Sequence, residues 1–339
     1  MDSAKNVMAT IVVVTYNQEE YIEQALRSIV SQETNFVFEV IVRDDASTDN
    51  TGLIVDRLYQ EYPDVIIPVI HTYNHFSEDD YSFESVREYI HGKYVAYCEG
   101  DDFWTDVTKL QKEVDILENN KDCCFVAHKE QCVDADGNWM DKFYPIRDDI
   151  LPSGGGKIFP NEMAEILFTV SLYPFQTASY LVTYDTFMKC IDVSNPLVKI
   201  SKVYLDIRLL CESLLQGSFY YIDECLGAYR YCARGSYSAD IAKDEKKARD
   251  FEIMLIRFLS EYDVISKRKF HKYIRLNFEY KYVDAFLRKD LEMMLLIHKN
   301  HSISLSRIWG GKVSNIVSIK NKIYWTIAAK LPRLAIRIL

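Results

Sequence analysis

The chain has 339 residues, 48% of them hydrophobic and 27% charged, which is long enough for one large domain or two moderate ones and too apolar for a disordered segment. Only 12 glycines stand against 24 tyrosines, so collagen-like, linker-like and low-complexity classes are excluded. The formal net charge of -10 excludes a non-specific nucleic-acid binder as a description of the whole chain, because such a protein must present a basic surface.

Charge is unevenly spread. Glu292 is the last acidic residue, and Lys299, Arg307, Lys312, Lys320, Lys322, Lys330, Arg333 and Arg337 follow it. The 8 cysteines form no Cys-x-x-Cys pair and several lie in apolar runs, which reads as buried reduced thiols in a cytosolic chain. The apolar run at 9–15 is too short for a signal core or a membrane span.

In chain order, Thr-Ile-Val-Val-Val at 10–14 is a strand buried on both faces. Residues 19–32 carry Tyr21, Ile22, Ala25, Leu26, Ile29 and Val30 on one helical face. A second strand at 36–42 ends at Arg43-Asp44-Asp45, and Ser47 and Asp49 are placed to cap the helix carrying Leu53, Ile54 and Leu58. Strands at 65–70 and 94–98 follow, the latter ending at Glu99-Gly100-Asp101-Asp102, with a helix at 107–118. This alternation predicts an open α/β sheet over the first 120 residues. Further on, the pattern predicts a hairpin turning at Asp136-Gly137, a polar loop over 141–158, a strand at 177–183 and a helix at 206–215. Helical periodicity dominates beyond a boundary near 240.

Thr15-Tyr16-Asn17, Asp44-Asp45 and Asp101-Asp102 each follow directly on an apolar strand. Carboxyl ends of parallel strands share one edge, where ligands bind, so these clusters are predicted to meet in one crevice. Four carboxylates there call for protons or a cation, and an all-oxygen set favours Mg2+ or Mn2+ over zinc. The competing reading is solvated loop acids and helix caps. The turn after the first strand has no glycine, which excludes the Gly-x-Gly-x-x-Gly dinucleotide fold. Gly154 to Lys157 lacks the spacing and the Ser/Thr of a P-loop. A nucleotidyltransferase would carry a Gly-rich basic loop after the first strand, and that is missing too.

Val-Val-Thr-Tyr-Asn at 13–17, Asp-Asp-Ala-Ser-Thr-Asp at 44–49, Cys-Glu-Gly-Asp-Asp-Phe-Trp at 98–104 and Lys-Leu-Gln-Lys at 109–112 resemble family 2 glycosyltransferases over roughly residues 8–240. That resemblance implies a GT-A fold: a Rossmann-like open mixed sheet flanked by helices, spanning 1–240, with a nucleotide-sugar half to about 120 and an acceptor half beyond. The helical region 241–339 would follow as an extension. It implies an inverting transfer of sugar from a nucleotide diphosphate donor, UDP above others, to a saccharide or lipid-linked hydroxyl in surface polysaccharide synthesis. Thr15, Tyr16, Asn17, Asp44, Asp45 and Glu99 would face the donor, with Asp45 reading the base. Asp101 and Asp102 match the metal-binding Asp-x-Asp element, whose first position here is Glu99, and either could be the ligand.

Asp206 matches the family's catalytic base, although Leu205 stands where a glycine is usual, and an N-terminal helix carboxylate is the competing reading. Tyr-Ile-Asp-Glu at 221–224 and Ala-Tyr-Arg at 228–230 fix that register, and Arg230 or Arg234 would assist at the diphosphate. Phe103-Trp104 and Tyr173-Pro174-Phe175 are candidates for a sugar platform, with Gln176 near the acceptor. The tail at 303–339 has the composition of an interfacial helix on an anionic membrane, or of one docked on protein, and the helical third leaves room for a homodimer. A non-catalytic nucleotide-binding scaffold of the same fold is the alternative function.

Overall fold

The computed structural model describes residues 6–75, 83–200, 205–234, 236, 239 and 244–300. The tail expected to bind a membrane lies outside them. The chain divides into two compact units, one ending at Ala248 and the other beginning at Arg249.

The first unit is built on a ten-stranded sheet of order β3-β2-β1-β4-β9-β6-β10-β5, with β7 added to β6 and β8 to β10. Its strands are β1 (Val7–Thr15), β2 (Val37–Asp44), β3 (Ile66–Ile70), β4 (Tyr94–Glu99), β5 (Phe103–Trp104), β6 (Cys123–Val133), β7 (Trp139–Tyr144), β8 (Gly156–Ile158), β9 (Leu181–Thr183) and β10 (Ser218–Arg230). β1 runs parallel to β2 and β4, β2 to β3, and β6 to β10. β9 lies antiparallel to both β4 and β6, so these two share the direction of β1. Six strands therefore deliver their carboxyl ends to one edge.

Burial explains the central strands. Ile11, Val12 and Val13 are fully buried, because helices cover both faces of β1 and leave no water-facing side to alternate with. The helix Ile22–Val30 contributes Ile22, Ala25, Leu26 and Ile29 to that cover. Parallel register sets Thr15 opposite Asp44 and Val14 opposite Glu99, so the three polar strand ends are level.

Three segments depart from the sequence reading. The stretch 177–183 divides into a single turn at Thr177–Ser179 and the short β9. The expected loop at 141–158 contains the end of β7 and all of β8. β10, 13 residues long and central to the second half of the sheet, has no simple alternation because its register to β6 slips three times, around Ser218, Cys225 and Gly227. Asp49 accepts the Thr51 amide at 2.9 Å, whereas Ser47 caps nothing and instead joins two loops. All eight cysteines are free thiols, six of them buried and Cys225 exposed.

A charged pair lies beneath the edge. Lys109 and Glu113 are both fully buried on the helix Lys109–Asn119, with Nζ and Oε2 2.9 Å apart. The ammonium also lies 3.8 Å from the centre of the Trp104 ring, whose indole N–H donates to the Ala178 carbonyl at 3.0 Å. Trp104 is thus a core residue clamped from two sides and cannot serve as a sugar platform. Phe175 is buried as well, stacked on Tyr221.

The second unit contains the helices His271–Leu287 and Leu291–Asn300 and most of Glu245–Ile265. Phe258, Tyr262, Phe270 and Phe278 pack in its core, and Arg249 pairs with Asp290 at its margin. Among the described residues no helix is long and apolar enough to cross a membrane.

Removing one partner of a buried ion pair strands the other charge. Glu113→Ala is expected to lower the unfolding free energy by about 3–5 kcal/mol, and Lys109→Met with Glu113→Leu to recover most of it. Urea denaturation of the variants measures both, and an unchanged midpoint for Glu113→Ala would remove the pair from the fold's support.

Candidate functional site

The loops after β1 and β2 are joined by side chains. The Asn17 amide donates to Ser47 Oγ at 2.9 Å, and the Thr48 amide donates to Asn17 Oδ1 at 2.7 Å. Asn17 holds a left-handed backbone (φ 51°), a conformation asparagine tolerates better than most residues. Asp44 is 1% exposed, and its Oδ1 accepts both the amide (3.0 Å) and the hydroxyl (2.5 Å) of Ser47. Its side chain shapes the loop. Tyr16 stands exposed at the rim.

Asp45 is tied to β1 through its amide, which donates to the Thr15 carbonyl at 3.0 Å. Its Oδ1 lies 3.1 Å from His71 Nδ1, 3.2 Å from His75 Nδ1 and 3.5 Å from the Arg43 guanidinium, and it accepts the His75 amide at 3.1 Å. Burial holds His71 below the usual histidine range; the hydrogen bond to Asp45 opposes that, and the Arg43 charge reinforces it. Sequence reading passed over both histidines. The rule that picked out Asp44 and Asp101 would have found His71, which directly follows β3, had it been applied to that strand.

At the end of β4, the Gly100 amide donates to the Val14 carbonyl at 2.8 Å. A β-carbon on Gly100 would lie 2.5 Å from Gln18 Oε1 and 2.9 Å from Thr15 Oγ1, which are themselves joined at 2.8 Å. The turn thus packs closely on the β1 loop, and a larger residue here would have to displace the Gln18 and Thr15 side chains. Asp102 is 1% exposed; its Oδ1 accepts the Arg230 amide at 2.7 Å, and its Oδ2 has no hydrogen-bond partner among the described residues. Asp101 is the partly exposed member of the pair.

Several carboxyl groups share this small volume. Burial pushes Asp102 well up, and the charges of Asp101, Glu99 and Glu130 add to it. Burial likewise raises Glu99, then the Asp101 charge; the Thr177 hydroxyl, which donates to Glu99, works the other way, and the Asp206 charge raises it again. Glu130 is fully buried with neither carboxyl oxygen hydrogen-bonded among the described residues, and burial drives it up too. A cluster held this far above the ordinary carboxylate range is one that a hard divalent ion would stabilise, and an all-oxygen donor set fits it.

Asp206 lies in the first turn of the helix Leu205–Gln216, with Oδ1 accepting the Ile207 amide at 2.6 Å. Burial lifts it to about 6, against the pull of that amide and of Arg208. Its charge bears on Glu99, more than a hundred residues away in sequence. Tyr204 lies outside the described residues.

Arg230 is 3% exposed, and its guanidinium faces inward. Nε donates to the Asp101 carbonyl (2.9 Å), one terminal nitrogen to the Asp134 carbonyl (3.2 Å) and the other to Gln24 Oε1 (2.9 Å). It joins β10, the metal-type turn and the β6–β7 hairpin. Arg234 bridges Glu20 and Asp136 on the surface. Trp139, which sequence reading also passed over, is 55% exposed at the start of β7 and meets Phe103 edge-on at 6.2 Å.

An open sheet with six strand ends converging on one edge, where loops meet an acidic turn, defines an α/β class of fold that binds its ligands at that edge. Residues 10–177 match Glycosyl transferase family 2, and the chain belongs to that family. An uncharacterized protein of Mycobacterium tuberculosis, Rv1520, is 38% identical over 137 residues, 40% of this chain and 39% of that protein, so the match spans about two fifths of that relative. Among solved structures, S. aureus TarS 1-349 in complex with UDP-GlcNAc superimposes with a TM-score of 0.57 at 16% identity, over 87% of this chain and 80% of that one. Mannosyltransferase PcManGT from Pyrobaculum calidifontis in complex with GDP-Man and Mn2+ gives 0.52 at 14%, over 99% and 87%. The fold is GT-A.

Gly100→Ala is expected to lower stability by about 1–3 kcal/mol through the clash with Gln18 and Thr15. Adding Gln18→Ala should return part of that loss, and strictly additive losses in urea would count against the close fit.

Proposed function

We propose that this chain is an inverting, metal-dependent glycosyltransferase that moves a sugar from a UDP-sugar to a hydroxyl of a saccharide or lipid-linked acceptor in surface polysaccharide synthesis. The observation that carries the reading is the parallel register of β1, β2 and β4, which brings Thr15, Asp44 and Glu99 level at one edge with Asp101 and Asp102 on the turn that follows. The fold neighbours bound to UDP-GlcNAc and to GDP-Man with Mn2+ support a nucleotide-sugar donor and a divalent ion.

In this reading Thr15, Tyr16, Asn17 and Asp45 form the nucleoside end, with Asp44 shaping the loop beneath. Asp101 is assigned as the metal ligand because it is the exposed carboxyl of the pair, and Asp102 braces the turn through the Arg230 amide. Arg230 positions Asp101 through its carbonyl, with the rest of its guanidinium held by the Asp134 carbonyl and Gln24. A bound divalent ion supplies Lewis-acid stabilisation of the leaving diphosphate. Asp206 accepts the proton of the acceptor hydroxyl while that oxygen bonds to the anomeric carbon. The bond from that carbon to the phosphate oxygen breaks, and the nucleoside diphosphate leaves with the electron pair. Trp139 offers a flat apolar face at the acceptor side of the crevice.

Asp206 must be ionised to act, so with its pKa lifted to about 6 the transfer rate should hold above that pH and fall below it. Asp206→Asn should lose roughly 10²–10⁴-fold in transfer while UDP still binds. An unchanged rate would move the assignment to the non-catalytic scaffold. Asp101→Ala should abolish the manganese-dependent thermal stabilisation by UDP, worth about 2.7 kcal/mol at a hundredfold excess over Kd. If the shift survives in Asp101→Ala, the ligand is another group.

A further inference from the structure

We propose that Asp45, His71 and His75 form a second divalent-cation site, suited to a borderline ion such as Zn2+, separate from the carboxylate turn and closing the loop after β3 onto the end of β2. The proposal does not depend on the glycosyltransferase reading.

The geometry is that of a ligand set. One oxygen of Asp45 and one ring nitrogen of each histidine all lie within 4.8 Å of one another. Both Nδ1 atoms face the same oxygen, at 3.1 and 3.2 Å. Ligands about 2.0–2.1 Å from a tetrahedral zinc stand about 3.3 Å apart, so little movement is needed to admit the ion. The three side chains are 9%, 7% and 13% exposed, which leaves the ion partly shielded and open on one side.

The outer partners fit as well. His71 Nε2 lies 2.9 Å from Ser85 Oγ, which fixes the ring with Nδ1 toward Asp45. When an ion takes Nδ1, the single N–H of neutral His71 moves to Nε2, and the serine oxygen accepts it. No net proton need leave this ring. Tyr73 stacks on His75 at 4.1 Å and holds the second ring in the same way.

The donor set decides which ion. Two imidazoles and one carboxylate suit borderline ions such as zinc, iron(II), cobalt or nickel, whereas the oxygen-only turn at Asp101 suits magnesium or manganese. Arg43, 3.5 Å from Asp45 Oδ1, opposes any cation and sets the expected affinity in the micromolar range, below that of a closed structural zinc site. The consequence is mechanical: Asp45 ends the β2 segment, His71 and His75 lie on the loop after β3, and an ion among them pins that loop where the nucleoside end of the crevice begins.

The test is calorimetric titration of the metal-free full chain with zinc chloride alone, repeated with Co2+ while visible absorption is recorded. One ion per chain at micromolar Kd is expected, abolished by His71→Ala and by His75→Ala, weakened roughly 10-fold by Ser85→Ala, and unchanged by Asp101→Ala. NMR of the wild-type histidines should place the ion on Nδ1 of two rings, which needs no variant to fold. Absence of saturable zinc binding, its survival in both histidine variants, its loss in Asp101→Ala, or a thiolate-to-cobalt charge-transfer band would each overturn the site.

Discussion

The backbone amide of Arg230 donating into a buried Asp102 is the contact on which the rest of the crevice depends. Asp102 is shut away from water among Asp101, Glu99 and Glu130, where an ionised carboxylate is disfavoured by desolvation and by repulsion together. One amide at 2.7 Å offsets part of that cost, and the same residue then spends its guanidinium on the Asp101 and Asp134 carbonyls and on Gln24. β10 is thereby locked to the β4 turn and to the β6–β7 hairpin. Asp101 inherits its position from this arrangement without lending its own carboxylate to it.

The reversed strand β9 divides the edge into two halves of different character. On one side, β1, β2 and β3 present hydroxyl, amide and imidazole groups on loops tied by short hydrogen bonds. β4 lies on that same side and adds Glu99, Asp101 and the buried Asp102, whereas β6, β10 and the added β7 on the other side contribute the buried Glu130 and, at the rim, Trp139. Thr177, in the turn ahead of β9, reaches back to Glu99, so the segment leading into the dividing strand also contacts the acidic cluster.

Much of the first half was legible because parallel strands buried on both faces leave long β-branched runs, and the polar residues after them must lie at the edge. That reasoning reached Thr15, Asp44, Asp45, Asp101 and Asp102 from sequence, while Glu99 came in through the family resemblance. It could not reach β10, whose register slips and acidic residues mask a central strand. Trp104 was misread for a different reason: an aromatic beside an acidic turn looks like a platform, and only the ammonium of Lys109 above its ring shows it to be core. Arg230 was expected at the diphosphate, and its guanidinium is engaged by the Asp101 and Asp134 carbonyls and Gln24; a sequence motif fixes the position of a side chain and says nothing of which way its charge faces. His71 directly follows β3 and was within reach of the same rule, whereas His75, four residues further on, is tied to Asp45 only by the fold.

The order in which the carboxyls lose their protons ties the acidic cluster to the candidate base. Burial alone raises both Glu99 and Asp206, but Glu99 also feels two neighbouring charges and is pushed further up. Asp206 has an amide and Arg208 on its side and ionises first. With no ion at the turn, Asp206 is thus the more acidic of the two. A carboxylate in this position can accept a proton because its neighbour has not yet released one. Were Glu99 to ionise first, its charge would lift Asp206 and hold it in the protonated form that cannot act as a base. The Ile207 amide and the Arg208 charge, which Glu99 lacks, are what keep Asp206 the more acidic of the two and the better placed to hold the charge that a base needs.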